Sequence, residues 1–142
     1  MGTQQVLLIV ITVIIVGIAI AVGMTMFNQN AIKSNRHACI ADANNFATIA
    51  LAWWRTPVSQ GGGGQVNLNT AVIDDLGSYI GYNYNSSSNT LYTSNGSYVL
   101  SNAGNNNLKI VATGNEFYNG NPVEISLTVH LQTGNISVEI IN

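Results

Sequence analysis

Residues 6–27 read VLLIVITVIIVGIAIAVGMTMF, a run from Val6 to Phe27 that contains no charged side chain. At 1.5 Å per residue a helix of this length crosses a hydrocarbon core of about 30 Å. Only Thr12, Gly17, Gly23 and Thr25 interrupt the aliphatic residues. No face is therefore polar, which excludes an interfacial amphipathic helix and leaves lipid or other helices as the surroundings. A secretory signal peptide carries basic residues ahead of a shorter apolar stretch and a small-residue cleavage site behind it. Here Met1-Gly2-Thr3-Gln4-Gln5 precedes the run and an Asn-rich continuation follows it.

The helical pattern continues past Phe27. No proline occurs before Pro57, and apolar side chains recur at Cys39, Ala43, Phe46, Ala47, Ala50, Trp53 and Trp54. Offsets of three and four place them on one stripe. The sequence thus predicts a single helix of about fifty residues, roughly 75 Å long. Its first half is apolar all round, and its second half needs a sheet against its stripe. Lys33 and Arg36 lie just after the apolar run and nothing basic lies before it. Taken alone, this asymmetry orients the head towards the cytoplasm. The head, however, is built from Asn, Ser, Thr, Gln and Gly with little charge, a composition suited to the cell exterior. A precursor with a short Lys- or Arg-containing leader before Met1 would reconcile the two signals.

Charge is scarce throughout: four Lys or Arg, six Asp or Glu, and a charged fraction of 7%, against about a quarter in ordinary soluble domains. The cations Lys33, Arg36, Arg55 and Lys109 are scattered, so no basic patch points to nucleic acid. Cys39 is the single cysteine, and stability must come from packing or from assembly with copies of the same chain. The thiol reads as a small buried apolar group.

After the long helix, Gly61 to Gly64 and the preceding Thr-Pro-Val-Ser-Gln read as a flexible loop. No Lys-Ser or Lys-Thr follows these glycines, as a phosphate loop would require. Asn69-Thr70 caps a short helix, Ala71 to Leu76, stopped by Gly77. Strand alternation then takes over. Leu91–Thr93 and Tyr98–Leu100 flank Asn95-Gly96, a pair that favours a type I′ turn. Leu108–Ala112 is a further strand. Ile125, Leu127, Val129 and Leu131 alternate with polar residues, and Ile136, Val138 and Ile140 answer them across the turn Gln132–Asn135. The expected fold is α+β: a long N-terminal helix on an antiparallel sheet of about four strands, with Phe46, Ala50, Trp53 and Trp54 between the two. The organisation is an apolar segment 1–27, an amphipathic helix 28–56, a Gly-rich loop 57–70 and a β-rich head 71–142.

This layout resembles that of the type IV pilins and pseudopilins along the whole chain: an uncharged N-terminal span, an amphipathic continuation, a loop and a small β-rich head. Mature pilins begin with a hydrophobic residue, often N-methylated, directly before the apolar helix, and Met1 fits that place. The resemblance implies that a prepilin peptidase cuts before Met1 and that Val6 to Phe27 first holds the subunit in the inner membrane. The same span then packs with its copies in a filament core that pilus assembly machinery builds. Met1, Gln4, Gln5, Val6, Leu7, Leu8, Ile9, Ile14, Ile15 and Phe27 are the implied assembly residues. One departure concerns the glutamate that the family places fifth in the mature chain, where this sequence has Gln5 beside Gln4. An amide accepts a hydrogen bond from a neighbour's ammonium without supplying opposite charge. The readings are a branch using Gln4 or Gln5 as acceptor, a minor tip subunit, or cleavage after Gly2. The family's helix-breaking proline is also missing. Gly17 and Gly23 then mark either the place of unwinding in a filament or sites of close helix packing.

Chemistry is thinly represented. His37 and His130 are far apart in sequence, Asp74-Asp75 lies on the short helix, and no nucleophile, base and orienting residue stand in a recognisable pattern. The sequence predicts a structural protein that is not an enzyme and needs no cofactor or metal. Asn85, Asn95 and Asn135 sit in acceptor sequons for glycosylation. The expected product is an extracellular homopolymer serving adhesion, motility or a related surface function. A pseudopilin, a minor pilin and a monomeric membrane-anchored surface domain are the alternatives.

Overall fold

The structure, a computed structural model, describes residues 2–142. One helix, α1, runs from Gly2 to Arg55 without a break. It continues through Gly17 and Gly23, where a Cβ would meet nothing within 4 Å. Its first half touches nothing else in the chain: burial begins at Ile32, followed by Cys39, Ala43, Phe46, Ala47, Ala50, Trp53 and Trp54. The second half lies across a six-stranded antiparallel meander of β1 (Tyr84–Asn85), β2 (Thr90–Tyr92), β3 (Gly96–Asn102), β4 (Asn107–Tyr118), β5 (Asn121–His130) and β6 (Ile136–Ile140).

The α+β architecture agrees with the sequence reading, but the sheet has six strands and not four. β1 is two residues long, too short to show any alternation. It is held by Tyr84, whose hydroxyl bonds Asp74 Oδ1 (3.0 Å) and Asn89 Oδ1 (2.8 Å). β4 extends past Ala112, through a register shift between Thr113 and Phe117, to Tyr118. The stretch Gly114-Asn115-Glu116 has no apolar period, so the continuation of β4 through it is invisible without the neighbouring strands.

The core consists of rows across the sheet. Tyr98, Ala112 and Ile125 form one row, Leu100, Ile110 and Leu127 the next, and Leu108 and Val129 a third. All are at most 1% exposed. Ile140, Val138 and Ile136 extend the three rows onto β6 in the expected register. There the helix no longer covers the sheet, and Val138 and Ile140 are exposed. Between the layers Phe46 meets Tyr98 edge-on at a centroid distance of 5.0 Å and Tyr82 at 5.3 Å. Phe46, Ala50, Trp53 and Trp54 are all buried, as a helix stripe facing an apolar sheet requires.

Three local expectations change. The Gly-rich loop is not a slack linker: it folds back as a cap on α1. Gly63 N donates to Trp53 O (2.8 Å), Gly64 N to Thr56 O (2.9 Å), Gln65 N to Trp54 O (2.9 Å), and Trp54 Nε1 to Val66 O (2.9 Å). The bonds to Trp53 O and Trp54 O occupy carbonyls that a helix end leaves without partners. Gly63 lies against the Trp53 ring, where a Cβ would come within 2.6 Å of Cζ3.

The short helix, α2, spans Thr70–Ile80 and passes through Gly77. Asn69 caps it by accepting from Val72 N (2.9 Å), and Gly81 ends it with φ 78°. Gly77 is present because the Tyr84 ring lies where its Cβ would stand. Gly77→Ala is therefore expected to destabilise the head by about 1–3 kcal/mol, although alanine is the better helix former by about 1 kcal/mol. Thermal unfolding of the variant checks this, and a raised Tm would contradict it.

The type I′ turn is at Asn119-Gly120 (φ 51° and 82°), joining β4 to β5, and not at Asn95-Gly96, where neither residue has positive φ. Gly96 instead allows β3 to approach β4, its Cα position facing Thr113 O and Gly114 Cα. Asn95 is held from outside its own hairpin by α1.

Candidate assembly segment and its anchorage to the head

From Val6 to Phe27 most of the large apolar side chains are more than half exposed, Leu8 at 66% and Phe27 at 82% among them. An 18-residue window reaches a mean hydropathy of 3.2 and none of it is buried within the chain. The helix is long and apolar enough to cross a membrane. Its two hydroxyls are satisfied internally: Thr12 Oγ1 donates to Leu8 O (2.7 Å) and Thr25 Oγ1 to Ala21 O (2.7 Å). Nothing polar in the segment is then left to face an apolar medium, which is the condition for lipid or a helix bundle. Gln4, Gln5, Val6, Leu7, Leu8, Ile9, Ile14 and Ile15 all lie on this exposed portion. Met1 lies outside the described residues.

The join between this segment and the head is rigid because the same helix enters the core. Its firmest polar tie was missed by sequence reasoning. Asn35, Cys39 and Asp42 recur at helical spacing and face the turn between β2 and β3. Asp42 Oδ2 accepts from Asn95 Nδ2 (2.8 Å), Tyr98 Oη (2.9 Å) and Thr93 Oγ1 (3.1 Å). Asn35 Nδ2 and Cys39 Sγ both donate to Asn95 O, at 2.9 and 3.6 Å. Asp42 is the only acidic residue on α1. One acid on a helix whose other charged residues, Lys33, Arg36 and Arg55, are all basic was the available signal, but its partners come from more than fifty residues away.

Burial pushes the Cys39 thiol up, so it is a poor nucleophile. Burial, joined by the hydrogen bond to Asp74, pushes Tyr84 up to about 12. Burial likewise drives Tyr98 far above the ordinary tyrosine range, with Asp42 adding to the effect. Both phenols are held neutral in the fold. Their folded pKa exceeds the unfolded value of about 10, so their contribution is complete below that pH and is lost as pH rises above it, for Tyr84 towards 12 and for Tyr98 over a wider range. Stability followed by circular dichroism should be level up to about pH 9 and fall steeply above about pH 10. Tyr98→Phe should flatten that fall, and an unchanged slope would contradict the assignment.

The remaining sequence candidates are dispersed. His130 Nδ1 lies 2.9 Å from Asn107 Oδ1, its neighbour across β4 and β5, and His37 is exposed on α1. Among the described residues no three His, Cys, Asp or Glu side chains converge. Asp74 is engaged by Tyr84. Of the three sequons, Asn85 and Asn135 are exposed. Asn95 is half-buried with its amide nitrogen committed to Asp42, which removes it from the surface sites.

The fold and this segment define a class in outline: a compact α+β head carried on a membrane-length helix. Comparison with protein-family models, curated proteins and solved structures returns no match.

Proposed function

We propose that the chain is the subunit of a type IV pilus-like surface filament, held in the membrane by residues 1–27 before assembly and polymerised through the same segment afterwards. The observation that carries this reading is the uncharged, fully exposed half of α1, continuous with a helix locked into the head. A flexible anchor would end in a linker, whereas here one rigid rod of about 80 Å joins the apolar segment to the core. Such a rod fixes the angle and height of each head relative to a bundle of its own kind, which a regular polymer requires. The apolar strip Ile136, Val138 and Ile140 on the free edge strand β6 offers a further surface for contact between heads. Gln4 and Gln5 supply neutral acceptors at the buried end of such a bundle. We place the chain among structural subunits rather than enzymes.

Mass spectrometry of material sheared from cells tests the proposal. Abundant chain with its N-terminus at Met1, methylated or not, is the expected result. A chain confined to membranes and absent from sheared material would instead make it an anchored surface domain. Abundance in that fraction also separates a major pilin from a pseudopilin or minor pilin.

A further inference from the structure

The hairpin joining β4 and β5 does not stop at the rim of the sheet. It runs back along α1 towards the apolar segment: Asn35 Oδ1 accepts from Glu116 N (3.4 Å), and beyond it Tyr118 joins Gln29, Ile32, Lys33 and Arg36 around a pocket of about 310 Å³. The four helix residues are spaced by three and four and so share one face. The tip exposes Phe117 (60%) and Tyr118 (48%) beside Asn119-Gly120. Gln29 is two residues past Phe27, about 3 Å along the axis. The tip thus reaches the level at which the uncharged run ends. Phe27 is exposed on the opposite face of the helix, so aromatic side chains stand on both sides of the neck. Two large apolar side chains on a tight polar turn have no use in water at this height.

Lys33 and Arg36 belong to the same place. No carboxylate among the described residues pairs with either, and Arg36 Nε is buried without an acceptor from the chain. Side chains on a helix lean towards its N-terminus, which directs both cations down towards the end of the apolar run. Lys33 lies about 9 Å and Arg36 about 14 Å above Phe27 at the helical rise, within reach of a headgroup layer. Aromatic residues and cations at this depth are what a membrane–water interface selects.

We propose that the neck is a phospholipid-binding surface: while α1 spans the bilayer, the Phe117–Tyr118 tip enters the interface and Lys33 and Arg36 clasp the phosphate of an anionic lipid in the pocket. The contact fixes the height and tilt of the head before assembly, and assembly must break it. This inference rests on α1 being in the bilayer, as proposed above.

Spin labels on the full chain test it, in a Cys39→Ala background, at Phe117→Cys, at Ile14→Cys for the span and at Asn105→Cys for the far end of the head. The vesicles are phosphatidylcholine alone or mixed with phosphatidylglycerol. Residue 117 should collide with a water-soluble nickel chelate several-fold less often than residue 105. The protection should be greater with phosphatidylglycerol, and Lys33→Gln with Arg36→Gln should abolish that increment. A label at 117 as accessible as that at 105, with residue 14 deep in the bilayer, overturns the inference alone. A label at residue 14 that is accessible to water overturns the membrane reading with it. Protection at 117 that rises with protein density and ignores lipid charge identifies a second copy as the occupant, and also overturns the inference.

Discussion

Replacing Asp42 with alanine is expected to lower the stability of the head by about 3 kcal/mol, a fall in Tm of about 10 to 15 °C for a domain of this size. The carboxylate receives three hydrogen bonds from Thr93, Asn95 and Tyr98. Tyr98 is the decisive one because it is fully buried. Without Asp42 its hydroxyl is left in the core with no acceptor, and an orphaned buried donor costs more than the bond itself contributed. A double-mutant cycle isolates this effect. Tyr98→Phe should cost about 1–2 kcal/mol in the natural chain and much less in Asp42→Ala, since its partner is already gone. Additive losses would show that Asp42 acts on the fold in some other way. Because Asn95 is held by Asp42, Asn35 and Cys39 together, the β2–β3 turn should also lose hydrogen-exchange protection in the variant before the rest of the sheet does.

A chain starting at Asn28 should fold with nearly the Tm of the full chain, yet neither enter membranes nor form filaments. Burial starts at Ile32, and the first half of α1 makes no contact with the head. The loss of folding stability should therefore stay within about 0.5 kcal/mol, as for exposed positions generally. On the reading proposed above, in which the apolar segment drives assembly, the loss of assembly should be complete. A single charge within the segment makes the same point: Ile14→Asp should disfavour insertion by about 3 kcal/mol, more than a hundredfold in partitioning. Flotation of vesicles and electron microscopy of sheared material read both variants. An unfolded truncated head would refute the division of labour along α1, and filaments made by it would refute assembly through the segment.

These two variants fall on opposite sides of what the sequence reveals. The apolar run, the unbroken helix, the stripe from Cys39 to Trp54 and the pairing of Ile125–Val129 with Ile136–Ile140 are all legible, because each is a periodic pattern maintained by neighbours close in the chain. The missing elements share a physical cause. β1 has too few residues to carry a period, and the far end of β4 has no apolar alternation. Gly77 reads as a helix stop until the Tyr84 ring is seen to occupy its side-chain space. The glycines at 61–64 read as slack until the carbonyls of Trp53 and Thr56 are seen to accept from the amides of Gly63 and Gly64. Asn95-Gly96 has the composition of a type I′ turn, but three helix residues hold Asn95 in another shape, and Asn119-Gly120 forms that turn instead.

By itself, then, the amino-acid order determines a membrane-length helix and a polar, charge-poor α+β head, since local periodicity and transfer energies suffice for both. Only the tertiary structure decides where Asp42 finds its donors, why particular glycines are required, and how close the β4–β5 tip comes to the neck of the helix. Each of those depends on groups brought together from distant parts of the chain, and no local pattern encodes their meeting.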